Sequence, residues 1–214
     1  MAFKGWPATA LEFYEGLEAD NSKVYWTENK HVYDDDVRAP MEALLAELAP
    51  EFGEGRIFRP YRDVRFSPDK SPYKTAMGAT VSDGYVQISA DGLFVGSGMY
   101  HLMPDQLERY RKAVDADKTG QELDAVVARL RKSGLDVHGT DPLKTAPKGF
   151  SRDHPRVEML RYRGIIAAKQ FPVAAWLGTA KTKTEIVKVL RGSAPLNDGL
   201  RLNVGPTSVE PGRP

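Results

Sequence analysis

The chain of 214 residues contains no cysteine, which excludes disulfides, thiolate nucleophiles and sulfur-ligated zinc and fits a reducing compartment. It also has almost no net charge. Thirty Lys and Arg stand against twenty-nine Asp and Glu, so no bulk field draws the protein onto nucleic acid or an anionic membrane, and any attraction to anions must be local. No apolar run approaches the roughly 20 residues of a membrane span. The opening MAFKGWPATALEFYEGLEADN has neither the apolar stretch nor the small-residue cleavage site of an export signal. These absences predict a soluble, cytoplasmic protein with no membrane partner. The spacings HxH, HExxH, GxSxG, GxGxxG and GxxxxGK are missing too, which disfavours zinc and nucleotide-cradling loops and leaves no metal ligands to name.

What is present is enough apolar residue, 41% of the total, for one core: a single domain over residues 1–203, with 204–214 a tail that has little to bury and frays. Ala10, Phe13, Tyr14 and Leu17 fall at helical spacing. A second stripe, Trp26, Tyr33, Val37, Met41, Leu44 and Leu48, crosses Pro40, which predicts a kink or a split there. KTAMGATV, YVQISA and LFVGSGMY are separated by SDG and DG, the pattern of an antiparallel meander over 74–100. GRIFRPYRDVRF adds one or two strands, including 61–66. Helical spacing returns after Pro104 and after Thr119, a short helix follows Pro155, IIAAKQF reads as an edge strand, and 182–191 as a last helix. Helices first, strands in the middle and helices last predict an α+β fold, with N-terminal and C-terminal helices packed on an antiparallel sheet of four or more strands.

The densest chemistry is RDVRFSPDKSPYK, residues 62–74. As a strand it would put Asp63 and Arg65 on one face and Arg62 on the other. SPDKSP would then make a turn stiffened by Pro68 and Pro72, with Asp69 bonding the local backbone. From Arg56 to Lys74 there are six Lys or Arg and two Asp, and no glycine occurs from 56 to 77. An anion here would therefore be held by side chains, since backbone cradles need glycine conformations. The alternative is that the arginines form structural ion pairs and the lysines are merely solvated. Farther on, Gly96 and Gly98 leave a bare strip on the strand between Phe94 and Tyr100, suited to a ligand or to another backbone. His154, six residues after Lys148, is either a helix-start residue before Pro155 or an acid–base group.

The stretch FKGWPATALEFYEGLEADNSKVYWTENKHVYDDDVRAP, the motif RDVRFSPDKSPYKT, GLFVGSGMY with Pro104 and Leu107, and PKGFSRDHP with Leu160 occur in this order. Together they resemble the domain-of-unknown-function 2461 family of conserved hypothetical proteins, over roughly residues 3–170. The resemblance implies an α+β fold and places Arg62, Asp63, Arg65, Asp69, Lys70, Tyr73, Lys74, Gly96, Gly98, Lys148 and His154 on the family's signature positions. It brings no established activity and leaves any cofactor unknown. The chain departs from the family pattern at Trp26-Thr27, where Trp-Phe is usual, and at Gly96-Ser97-Gly98, where a glycine pair is.

Two functions follow from the residues. In the first, Arg62, Arg65, Lys70, Tyr73, Lys74 and Lys148 surround a small anionic ligand, phosphate or carboxylate, over Gly96 and Gly98. Asp63 or His154 would handle protons if the reaction is phosphoester hydrolysis. In the second, the motif is a structural or interaction ridge. Tyr61, Tyr73, Phe94 and Tyr100 could stack bases, but the balanced charge argues against nucleic acid as a partner.

Overall fold

A computed structural model describes residues 2–65 and 67–209. The fold is α+β, as the sequence predicts, and among the described residues its sheet has six antiparallel strands, β1 (Gly55–Ile57), β2 (Ala76–Val81), β3 (Gly84–Ser89), β4 (Gly92–Met99), β5 (Asp136–Gly139) and β6 (Ile165–Phe171), in the order β1-β2-β3-β4-β6-β5. The chain divides into two compact units. One runs to Val95 and includes Gln170–Lys188, and the other comprises Gly96–Lys169 and the residues from Val189 onward. Strands β4 (Gly92–Met99) and β6 (Ile165–Phe171) contribute residues to both.

The first unit opens with α1 (Ala8–Ala19), α2 (Lys23–Glu28) and α3 (Lys30–Val32). A π-helical turn (Tyr33–Arg38) and α4 (Ala39–Phe52) follow. All six residues of the second apolar stripe are buried. The break expected at Pro40 comes before it: Pro40 sits in the first turn of α4, where a missing N–H costs nothing. The widened turn lies immediately ahead, where the ring would otherwise press on the carbonyl four residues back. That turn keeps Tyr33 and Val37 inward and leaves the Val37 carbonyl to accept from Trp6 Nε1 at 3.2 Å. Gly53, at φ +81°, ends α4.

Strands β1 (Gly55–Ile57), β2 (Ala76–Val81) and β3 (Gly84–Ser89) then form the meander with β4. Met77, Ala79, Val81, Val86 and Ile88 are buried, and α1 and α4 pack on these strands. Residues 61–65 are not a strand: they leave the sheet, and a lone antiparallel bridge joins Tyr61 to Tyr73. Alternating side chains did not suffice to make a ladder, because prolines 60, 68 and 72 remove the N–H groups that one would need.

The second unit holds α5 (Pro104–Asp115), α6 (Asp117–Lys132), β5 (Asp136–Gly139), α7 (Val157–Arg161) and α9 (Ala194–Asn203), with the end of α8 (Lys181–Gly192). Strand β6, expected at an edge, is internal, lying between β4 and β5. Ile165, Ile166, Ala167 and Ala168 are buried in succession, the mark of a strand covered on both faces. Residues 204–209, expected to fray, are tied to α5. Arg109 donates to the Pro206 carbonyl at 2.7 Å, and Asp105 accepts from the Thr207 hydroxyl at 2.7 Å and the Ser208 amide at 2.9 Å. The rest of the expected tail, 210–214, lies outside the described residues, as does Phe66 within the motif. Among the described residues no helix is long and apolar enough to cross a membrane.

Candidate functional site

The motif is a loop closed at its base. Arg62 N–H donates to the Pro72 carbonyl at 2.9 Å, and Lys74 N–H to the Pro60 carbonyl at 2.8 Å. Asn21, from the turn before α2, clamps the base from outside. Its amide donates to the Tyr73 carbonyl at 3.1 Å and accepts from Tyr73 N–H at 3.0 Å. Tyr73 is buried and stacks on Trp26 with ring centroids 4.4 Å apart and planes 8° from parallel. Tyr73 thus anchors the loop within the first unit's aromatic cluster, and its phenol is pushed up chiefly by burial.

At the tip, charges close on one another. The Arg65 guanidinium grips Asp63 with two bonds, 3.0 Å from Nε and 2.7 Å from Nη2, so the two side chains do point the same way. Those side-chain bonds, and the Arg65 amide after them, hold the Asp63 carboxyl down at about 2. Arg62 Nη1 bonds Asp69, whose carboxyl lies well below the usual carboxylate range, first because Ser71 donates to it and then because of Arg62. Lys70 Nζ donates to the Val64 carbonyl at 3.0 Å. A guanidinium therefore pairs with each of the motif's two carboxylates. Among the described residues no three His, Asp or Glu side chains gather as a metal site.

Lys74 is different. It lies half-buried in an open cavity of about 490 Å³ lined also by Phe58, Arg62, Thr75, Ala76, Gly78, Tyr85 and Gln87, all in the first unit. Its ammonium stands 5.5 Å from the centre of the Phe58 ring. Among the described residues no carboxylate comes within ion-pairing distance of it. Burial, and then repulsion from Arg59, lower its pKa below the ordinary lysine value. Arg62 reaches the same cavity with one of a guanidinium's five donors engaged by Asp69. The charged residues of the lining are thus both cations.

The other expected site residues fall in the second unit. Gly96 is buried. Gly98, at φ +141°, has the Ile165 carbonyl oxygen 2.4 Å from where a Cβ would stand, so a neighbouring strand accounts for this glycine. Between them Ser97 Oγ accepts from the Asn197 amide at 2.8 Å. Lys148 is exposed in a turn closed by Phe150 N–H on the Pro147 carbonyl at 3.2 Å. His154 Nδ1 accepts the Arg156 N–H at 3.0 Å, and Nε2 lies 3.3 Å from Asp115 Oδ1, so both ring nitrogens are engaged where α7 starts.

The structure therefore brings Arg62 and Lys74 together in one cavity, pairs Asp63 with Arg65, and turns Lys70 back onto its own loop. Sequence reasoning missed Phe58, Thr75, Tyr85 and Gln87. The available signal was Gly78, a glycine inside a strand, which makes room for the Tyr85 phenol.

The family model for conserved hypothetical proteins (DUF2461) matches residues 9–198, most of the chain, and the chain belongs to that family. No curated protein and no solved structure matches it.

Proposed function

We propose that this family member binds a small anionic ligand, a phosphate ester or a carboxylate, in the cavity lined by Arg62 and Lys74. The observation that carries the reading is Lys74. It is a partly desolvated ammonium, facing an open cavity, with another cation in the lining, a third repelling it and no carboxylate partner among the described residues. An anion beside Lys74 would offset its burial and the repulsion from Arg59, and would accept charge-assisted hydrogen bonds from Lys74 and Arg62. Thr75 and Gln87 add neutral polar groups to the lining. The reading is one of binding and not of turnover. Asp63, expected to handle protons, is gripped by Arg65 through two hydrogen bonds, and the proposal concerns the binding step alone.

A second reading, a structural motif, draws support from Tyr73, whose burial, stacking on Trp26 and pair of backbone hydrogen bonds with the Asn21 side chain fix the loop base. Thermal unfolding of wild type and Lys74→Met against phosphate esters and dicarboxylates, at fixed ionic strength, separates the two. A ligand at a hundred times its dissociation constant adds about 2.7 kcal/mol to stability. The binding reading expects that gain in wild type, its loss in Lys74→Met, and unliganded proteins of equal stability. No gain with any compound, or a variant that melts far lower, favours the structural reading.

A further inference from the structure

We infer that the anion is a mononucleotide whose base stacks on a row of aromatic rings across the open face of the sheet; this rests on the anion-binding reading above. The register supplies the row. Arg56, Thr80 and Tyr85 are direct partners across β1, β2 and β3, so their side chains share one face, while Ala79 and Val86, one position along, are buried on the other. Gly78 pairs with Gln87 on the open face, and its carbonyl accepts from the Phe58 N–H at 2.9 Å. The Tyr85 ring lies across Gly78, where a Cβ would come within 2.2 Å of the phenol oxygen, and the phenol donates to Gln87 Oε1 at 2.8 Å. Held over a glycine and bonded at its hydroxyl, the Tyr85 ring lines the cavity.

Tyr85 stands between Phe58, 6.1 Å away by ring centroids, and Phe94, 6.2 Å away. Phe58, Tyr85 and Gln87 line the same cavity as Lys74 and Arg62, so an aromatic platform and a pair of cations adjoin. Inorganic phosphate would leave the platform uncovered. A sugar phosphate would contact it through hydroxyls. A nucleotide matches both parts, its phosphate meeting the cations and its base covering the rings, and every base has a π face to stack. The cavity's 490 Å³ suits a ligand of that size. The chain's formal charge of +1 favours a single nucleotide over a strand, whose binding draws on many phosphate contacts.

Calorimetric titration of the full chain with the four common ribonucleoside 5′-monophosphates and with ribose 5-phosphate, at fixed ionic strength, tests this. The expected result is at least one nucleotide bound about tenfold or more tighter than ribose 5-phosphate, the gain that stacking one base supplies. Phe58→Leu and Tyr85→Leu should lower nucleotide affinity more than ribose 5-phosphate affinity, so that the preference narrows, and Lys74→Met should weaken both ligands. The base protons of the bound nucleotide should move upfield in the NMR spectrum. Equal affinity for nucleotides and ribose 5-phosphate overturns the nucleotide inference and leaves the anion reading standing. Binding of none of the five overturns both.

Discussion

Asp63 and Arg65 form an ion pair two positions apart on an exposed loop, and the pairing sets the carboxyl's proton affinity. Its folded value of about 2 lies below the ordinary 3.8. The pair therefore favours the folded state above the ordinary value, and that contribution fades as pH falls from about 4 through about 2. The effect on stability is small because solvent screens both side chains. The titration itself is the better readout: carboxyl-detected NMR should place the Asp63 midpoint near 2, and Arg65→Gln should return it to the ordinary range. A midpoint unmoved by Arg65→Gln contradicts the guanidinium as the cause. The sequence made the common direction of Asp63 and Arg65 legible, and with it the bonding of Asp69 to its own turn. It could not separate Lys70 from Lys74. Both are lysines in the same short motif, yet one bonds the loop backbone and the other faces a cavity whose remaining walls are strands distant in sequence.

Among the elements, helices with a clear apolar stripe and strands parted by two-residue turns were readable, because periodicity and turn chemistry are local. Irregular elements were not. The π-helical turn depends on Tyr33 and Val37 both facing inward ahead of Pro40. Strand β5 has four residues, among them only one buried apolar side chain, Val137, and owes its existence to pairing with β6. The mistaken edge placement of β6 has the same source, since IIAA announces burial on both faces without saying what the neighbours are. Gly98 offers a test at this scale. Its positive φ and the Ile165 carbonyl leave no room for a methyl group, so Gly98→Ala should lower the stability of the fold by at least about 2 kcal/mol. The urea unfolding midpoint checks this, and an unchanged midpoint means that the β4–β6 approach is not what requires the glycine.

Taken whole, the protein combines balanced charge with local segregation. Eight acids lie between Glu28 and Glu54, and six cations between Arg56 and Lys74. Folding turns the second group into two things. The loop pairs Asp63 with Arg65 and Asp69 with Arg62, and its base brings Lys74, together with the remaining donors of Arg62, to the cavity. The sequence showed the cationic excess, and with it the expectation of a side-chain anion site. It did not show that the floor of the proposed site would come from β2 and β3 instead of Gly96 and Gly98, because only the register brings Gly78, Tyr85 and Gln87 into one cavity with Lys74. Anion binding on this floor can be read by amide chemical-shift mapping during titration with a phosphate ester. Shifts concentrated at Phe58, Lys74, Thr75, Gly78, Tyr85 and Gln87, and absent in Lys74→Met, are expected. Shifts confined to the loop tip at Arg65 and Lys70, or no shifts at all, would contradict it.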